Sequence, residues 1–143
     1  MQKTGETNKV VILVATSGDT GKAALEGFAD VPGTQIIVFY PSEGVSDIQK
    51  QQMITQAGKN VKVFGIEGNF DDAQRGVKEI FGNTALSDEL EKKGYTFSSA
   101  NSINWGRLVP QIVYYFSAYV DAVKAGKIAA GDPINFVVPT GNF

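Results

Sequence analysis

The chain has 143 residues, 43% of them hydrophobic and 20% charged, with 13 Lys and Arg against 15 Asp and Glu for a net charge of −2. That much apolar material can offset the ordering entropy of folding, so general disorder is excluded, and the length is one domain's worth. The charge balance lacks the positive field of a dedicated nucleic-acid binder, and the absence of Cys and His excludes disulfides, thiolate or Ser-His-Asp catalysis and the commonest transition-metal ligands.

In chain order, residues 1–9 are a polar lead-in with no apolar signal region. Val10-Val11-Ile12-Leu13-Val14-Ala15 is the longest unbroken apolar run. It falls far short of the ~20 residues that span a bilayer, so a soluble cytoplasmic protein is expected, and it reads as a strand buried on both faces. Gly18 and Gly21 punctuate the next turn. Ala23, Ala24, Leu25 and Phe28 then mark a short amphipathic helix that Pro32-Gly33 ends. Gln35 to Tyr40 is a second buried strand, stopped at Pro41.

Ser46 and Gln49 have capping-box spacing, which predicts a helix from Asp47 to Ala57 with Gly58 as its C′ residue. Asn60 to Ile66 reads as a third strand. Asn69 or Asp71 caps the next helix, with Ala73, Val77, Ile80 and Phe81 on one face and Asp71-Asp72 as N-terminal helix charge. Tyr95 to Ser98 is a short fourth strand. A long helix follows from Asn104, carrying Leu108, Ile112, Tyr115 and Tyr119 at helical spacing, with Pro110 bending it or marking its start. Ile134 to Val138 reads as a last strand. This alternation predicts an α/β fold: an open, twisted, mostly parallel sheet of four or five strands with helices on both faces, a Rossmann-like three-layer arrangement. Residues 1–143 read as a single domain.

In such sheets ligands sit beyond the carboxyl ends of strands, near helix N-termini. Three segments qualify. Ala15-Thr16-Ser17-Gly18-Asp19-Thr20-Gly21-Lys22 joins the first strand to the first helix, where backbone N–H groups favour an anion and the hydroxyls add donors. A P-loop fails here, because Thr16 stands where the first Gly belongs and Ala23 where the Mg²⁺-binding hydroxyl belongs. The plain alternative is a glycine turn whose Ser or Thr caps the helix.

The second segment, Ser98 to Arg107, has hydrogen-bonding side chains at seven of its ten positions. Arg107 falls in the first helical turn, against the helix dipole, and a bound phosphate or carboxylate would resolve that conflict. The plain alternative is an Asn-capped helix with a solvated Arg. The third segment, Pro139-Thr140-Gly141-Asn142-Phe143, reads as a turn or an anion loop. Ending there, directly after a buried strand, suggests a piece of a longer protein.

At these segments the sequence resembles the threonine synthases. The likeness rests on Ala15 to Gly21, Asn101-Ser102-Ile103-Asn104-Trp105-Gly106-Arg107 and Pro139 to Phe143, and also on Pro41 to Ser46 and Gly68 to Gln74, all in order. The resemblance implies the tryptophan-synthase-like, fold type II group of pyridoxal 5'-phosphate enzymes, and a reaction of O-phospho-L-homoserine with water that gives L-threonine and phosphate. It implies that the chain is the smaller, substrate-binding domain of a longer enzyme, with 141–143 starting a truncated phosphate loop. It implies substrate contacts from Thr16, Ser17, Asp19, Thr20, Asn101, Ser102 and Arg107, and cofactor contacts from Asp19, Gly141 and Asn142.

The family's Schiff-base lysine lies upstream of the Ser-Gly-Asp-Thr loop and matches no residue here. The isolated chain is therefore expected to be inactive, without catalytic residues or metal of its own. Its expected partners are the small-molecule substrate and the remainder of the parent enzyme, with no nucleic acid and no membrane. The alternative from another class is a stand-alone anion- or nucleotide-binding α/β module without catalysis.

Overall fold

The computed structural model describes residue 5 and residues 7–139. The chain separates into two compact units, one ending at Asn104 and one beginning at Trp105. The first unit holds a four-stranded sheet of order β3-β2-β1-β4, made of β1 (Lys9–Ala15), β2 (Thr34–Pro41), β3 (Val61–Ile66) and β4 (Tyr95–Ser99). All three pairings are parallel, with Ile12 opposite Ile36 and Ser98, and Val38 opposite Val63.

Residue parity decides which face each strand residue covers, because successive side chains in a strand point to opposite sides. Ile12, Val14, Ile36, Val38 and Tyr40 are buried with Ala24 and Leu25 of α1 (Asp19–Phe28) and Met53 of α2 (Asp47–Ile54). Val11, Leu13 and Ala15 are buried on the other face with Ala73 and Val77 of α3 (Phe70–Gly82). The fold is thus the expected α/β sheet with helices on both faces.

Local signals hold where they are self-contained. Ser46 and Gln49 form the capping box of α2, and Asn69 with Asp72 forms that of α3. Three elements differ from the sequence reading. The α2 helix stops at Ile54 rather than Ala57, where Thr55 donates both its N–H and its hydroxyl to the Gln51 carbonyl and closes the last turn. Gly58 is therefore not the C′ residue, and its φ of +153° serves the turn into β3. The third helix is two: Asn83 ends α3 and caps α4 (Thr84–Lys92), its side chain accepting from the Leu86 N–H at 3.0 Å.

The second unit carries α5 (Trp105–Lys124) and the residues that follow. The helix starts five residues before Pro110, so the proline does not mark its start. Ile134 to Val138 is not a strand. A strand needs a neighbouring ladder for its N–H and C=O groups, and among the described residues this unit contains none. Phe136 instead packs edge-on against Tyr115 of α5, with ring centres 4.9 Å apart.

Candidate functional site

The strand order sets the location. β1, β2 and β3 follow one another in one direction, and β4 then pairs on the other side of β1. That reversal makes the carboxyl ends of β1 and β4 the topological switch point, where open α/β sheets form their ligand crevice. The loops after β1 and β4 are the first and second polar segments singled out from the sequence.

The β1 loop is shaped by Thr16, which is 1% exposed. Its Oγ1 accepts from the backbone N–H of Gly18 at 3.0 Å and of Gly21 at 2.9 Å, and donates to the Gly18 carbonyl at 3.1 Å. Gly18, the N-cap residue, has no side chain to cap α1. Thr16 takes over that task from two residues upstream and satisfies one of the donors a helix start leaves open. Gly21 is needed beside it, because a Cβ there would lie 2.5 Å from the Thr16 methyl and 2.9 Å from Met53 Sδ. Ser17 is exposed and Thr20 half-buried. Asp19 stands in the first turn of α1, a favourable place for a carboxylate. Its Oδ1 accepts from Gln49 Nε2 of α2 at 2.9 Å.

The β4 loop folds back onto the end of β1. The buried Asn101 side chain accepts from the Ala15 N–H at 2.9 Å and donates to the Ala15 carbonyl at 2.7 Å. Ser99 Oγ donates to the Leu13 carbonyl and accepts from the Asn101 N–H, both at 3.0 Å. Asn104 Nδ2 donates to the Ser99 carbonyl at 2.7 Å. The two loops are therefore joined directly, since Ala15 immediately precedes Thr16.

Thr16, Ser17, Asp19, Thr20, Asn101 and Ser102 all belong to the first unit, Asp19 and Thr20 in the first turn of α1 and the others in these two loops. Arg107 lies in the first turn of α5, in the second unit. Gly141 and Asn142 lie outside the described residues. Ser99, Asn104 and Gln49 complete the arrangement. The first two sit in a stretch already notable for polarity. Gln49 showed only its capping spacing, because its reach to Asp19 is a tertiary contact.

No protein-family model matches the chain. Individual proteins do. It is 45% identical over 143 residues to threonine synthase of Pseudomonas aeruginosa, covering 100% of this chain and 28% of that protein. It is 47% identical over 139 residues to human threonine synthase-like 1, covering 93% of this chain and 19% of that protein. This chain is homologous to a segment of the threonine synthases.

Solved threonine synthases agree. The pyridoxal-phosphate-bound threonine synthase of Brucella melitensis superposes with a TM-score of 0.66 at 40% identity, over 92% of this chain and 26% of that one. The Escherichia coli threonine synthase gives 0.67 at 40% identity, over 78% and 24%. The chain thus spans about a quarter or less of the threonine synthases it matches.

Pyridoxal phosphate is held through an amine at its reactive carbon, so the side chains of the loops decide how far they suit it. Those at the carboxyl edge, 16–18, 42–46, 67–69 and 100–104, contain no lysine. Lys22, on α1, is paired with Glu26 and Gln56. Among the described residues these carboxyl-edge loops therefore bring no amine of their own to the crevice. No described helix is long and apolar enough to cross a membrane.

Proposed function

We propose that this chain is the substrate-binding α/β segment of a pyridoxal-phosphate-dependent threonine synthase, a lyase that converts O-phospho-L-homoserine and water to L-threonine and phosphate. The observation that carries the reading is the 45% identity to a threonine synthase over the whole chain, with both polar loops at the switch point of the sheet.

In this reading Ser17 and Thr20 meet the substrate at the α1 N-terminus, and Asp19, whose carboxylate accepts from Gln49, flanks them. Thr16 and Asn101, whose polar atoms are spent on backbone groups, hold the loops that do so. Ser102 and Arg107 take the substrate phosphate, for which the guanidinium's planar fork is suited. Gly141 and Asn142 belong to the cofactor side.

The test is made on the complete enzyme carrying this segment, by following phosphate release from O-phospho-homoserine. Arg107→Lys keeps the charge and loses the fork. One charge-assisted hydrogen bond is worth about 1.5–3 kcal/mol, so kcat/KM should fall roughly ten- to hundredfold with cofactor binding unchanged. Loss of the cofactor with the substrate's apparent affinity intact would reverse the two phosphate assignments, and no phosphate release by the unmodified enzyme would overturn the reading.

A further inference from the structure

Gln49 occupies N3 of α2, and its side chain is committed at both ends. Oε1 accepts from the Ser46 N–H at 3.3 Å and from its hydroxyl at 3.1 Å. With the oxygen fixed by the cap, the NH₂ end must face α1, where Nε2 donates to Asp19 Oδ1 at 2.9 Å. The amide passes directly over Gly18. A Cβ there would lie 2.4 Å from Nε2 and 2.6 Å from Cδ, and the φ of +155° independently demands glycine. Glycine, amide and carboxylate form one fitted set linking two helices.

The charge of Asp19 gives this contact a purpose. A helix N-terminus favours one anion, and Asp19 already brings a carboxylate to the first turn of α1. A second carboxylate arriving there is opposed by like charge unless the first is turned aside. We propose that Gln49 is a positioning residue that holds the Asp19 carboxylate against α2 and so leaves the α1 N-terminus open to the carboxylate of the substrate. The proposal rests on the threonine synthase reading above.

Gln49→Glu separates positioning from capping. Glutamate is as good as glutamine at N3 of a capping box, so α2 keeps its start. The donor to Asp19 is lost, and a second carboxylate faces it. Adding Asp19→Asn restores the bond with donor and acceptor exchanged, the asparagine amide now donating to the glutamate. In the complete enzyme, Gln49→Glu should raise KM for O-phospho-homoserine by about tenfold or more, with kcat within about threefold. The double variant should recover most of that rise, as expected for one hydrogen bond to a charged group.

A second readout needs no activity. In the 143-residue chain, one Gln49 side-chain amide proton should be shifted downfield and slow to exchange, and Asp19→Ala should abolish both signatures. An amide proton indifferent to Asp19→Ala, or an active enzyme whose KM is unmoved by Gln49→Glu or stays raised in the double variant, overturns the positioning role. An unmodified enzyme that does not turn over O-phospho-homoserine overturns the reading beneath it instead, and leaves the spectroscopic result standing.

Discussion

The two faces of the sheet are built to different tolerances. On the α1–α2 side, Val14, Leu25, Ile36, Val38 and Met53 are all completely buried, and packing continues up to the β1 loop, where Met53 Sδ and the Thr16 methyl leave no room for a Cβ on Gly21. On the α3 side the sheet is half covered. Phe64 is 49% exposed, its ring stacks on the half-buried Phe39, and a pocket of about 200 Å³ lies among Phe39, Ile66, Ala73, Gly76, Val77 and Ile80. The loop that would receive a ligand thus belongs to the tighter face. A site needs its groups held by packed, hydrogen-bonded neighbours rather than by loops alone, and here fully buried side chains lie directly beneath such a loop.

The comparison can be broken most directly by truncation. Met53→Ala should cost about 2–5 kcal/mol, as for a fully buried side chain. Phe64→Ala should cost at most about 1.5 kcal/mol, because half its surface is already wet and only one ring contact is lost. Urea unfolding midpoints measure both, and equal costs would show the faces to be equally packed.

The attachment of the loops comes next. Asn101→Ala leaves both backbone groups of Ala15 without their partner in a buried place, at roughly 1–3 kcal/mol for each group. Hydrogen exchange should show protection lost first at Ala15 and Thr16, with the β1–β2 ladder retained. Uniform loss across the sheet would mean that Asn101 supports the whole unit rather than the loop.

Two glycines on opposite faces sharpen the contrast further. A helical Gly→Ala change ordinarily gains up to about 1 kcal/mol. Gly76 of α3 faces open space, where a Cβ would meet nothing within 4 Å, so Gly76→Ala should show that gain. Gly21→Ala should instead cost about 1–3 kcal/mol through overpacking against Thr16 and Met53. Thermal midpoints moving in the same direction would contradict the difference.

The smallest effect is electrostatic and lies on the looser face. The Asn69 backbone N–H, and after it the Arg75 side chain, hold the Asp72 carboxyl below the usual carboxylate range. A carboxyl more acidic when folded than unfolded stabilises the fold above its unfolded pKa, and that contribution fades as pH falls through the folded value. Asp72→Asn should therefore be less stable than the natural chain at neutral pH, with the gap narrowing on acidification. A gap independent of pH would assign the effect to lost capping geometry alone.

Much of this was readable in the sequence, and what was not has a common cause. The strands Val10 to Ala15 and Gln35 to Tyr40 announce themselves because burial on both faces demands unbroken apolar runs. The capping box at Ser46 completes itself within four residues, and of the two caps offered for α3, Asn69 and Asp71, the structure uses Asn69. Ile134 to Val138 carries the same β-branched pattern, but a pattern cannot say whether a ladder stands beside it. The break at Asn83 turns on one side chain capping the next helix, a signal contained in Gly82-Asn83 that the sequence reading did not take up. In the site, the polarity of the loops after β1 and β4 was visible. That Thr16 and Asn101 serve backbone groups, and that Gln49 reaches Asp19, depends on distances only the folded chain sets.

The Asn101 clasp also has a bearing on time. It joins residues 86 apart in sequence, whereas β1, α1 and β2 meet through much shorter connections. Closing a long loop costs entropy that is repaid only when its final contacts form. The β1 strand and the start of α1 can therefore assemble early, while the mouth of the crevice should take its final form only after β4 has docked. During synthesis, the segment would emerge with its frame built and the joint between its β1 and β4 loops unfinished until the residues around Asn101 had followed.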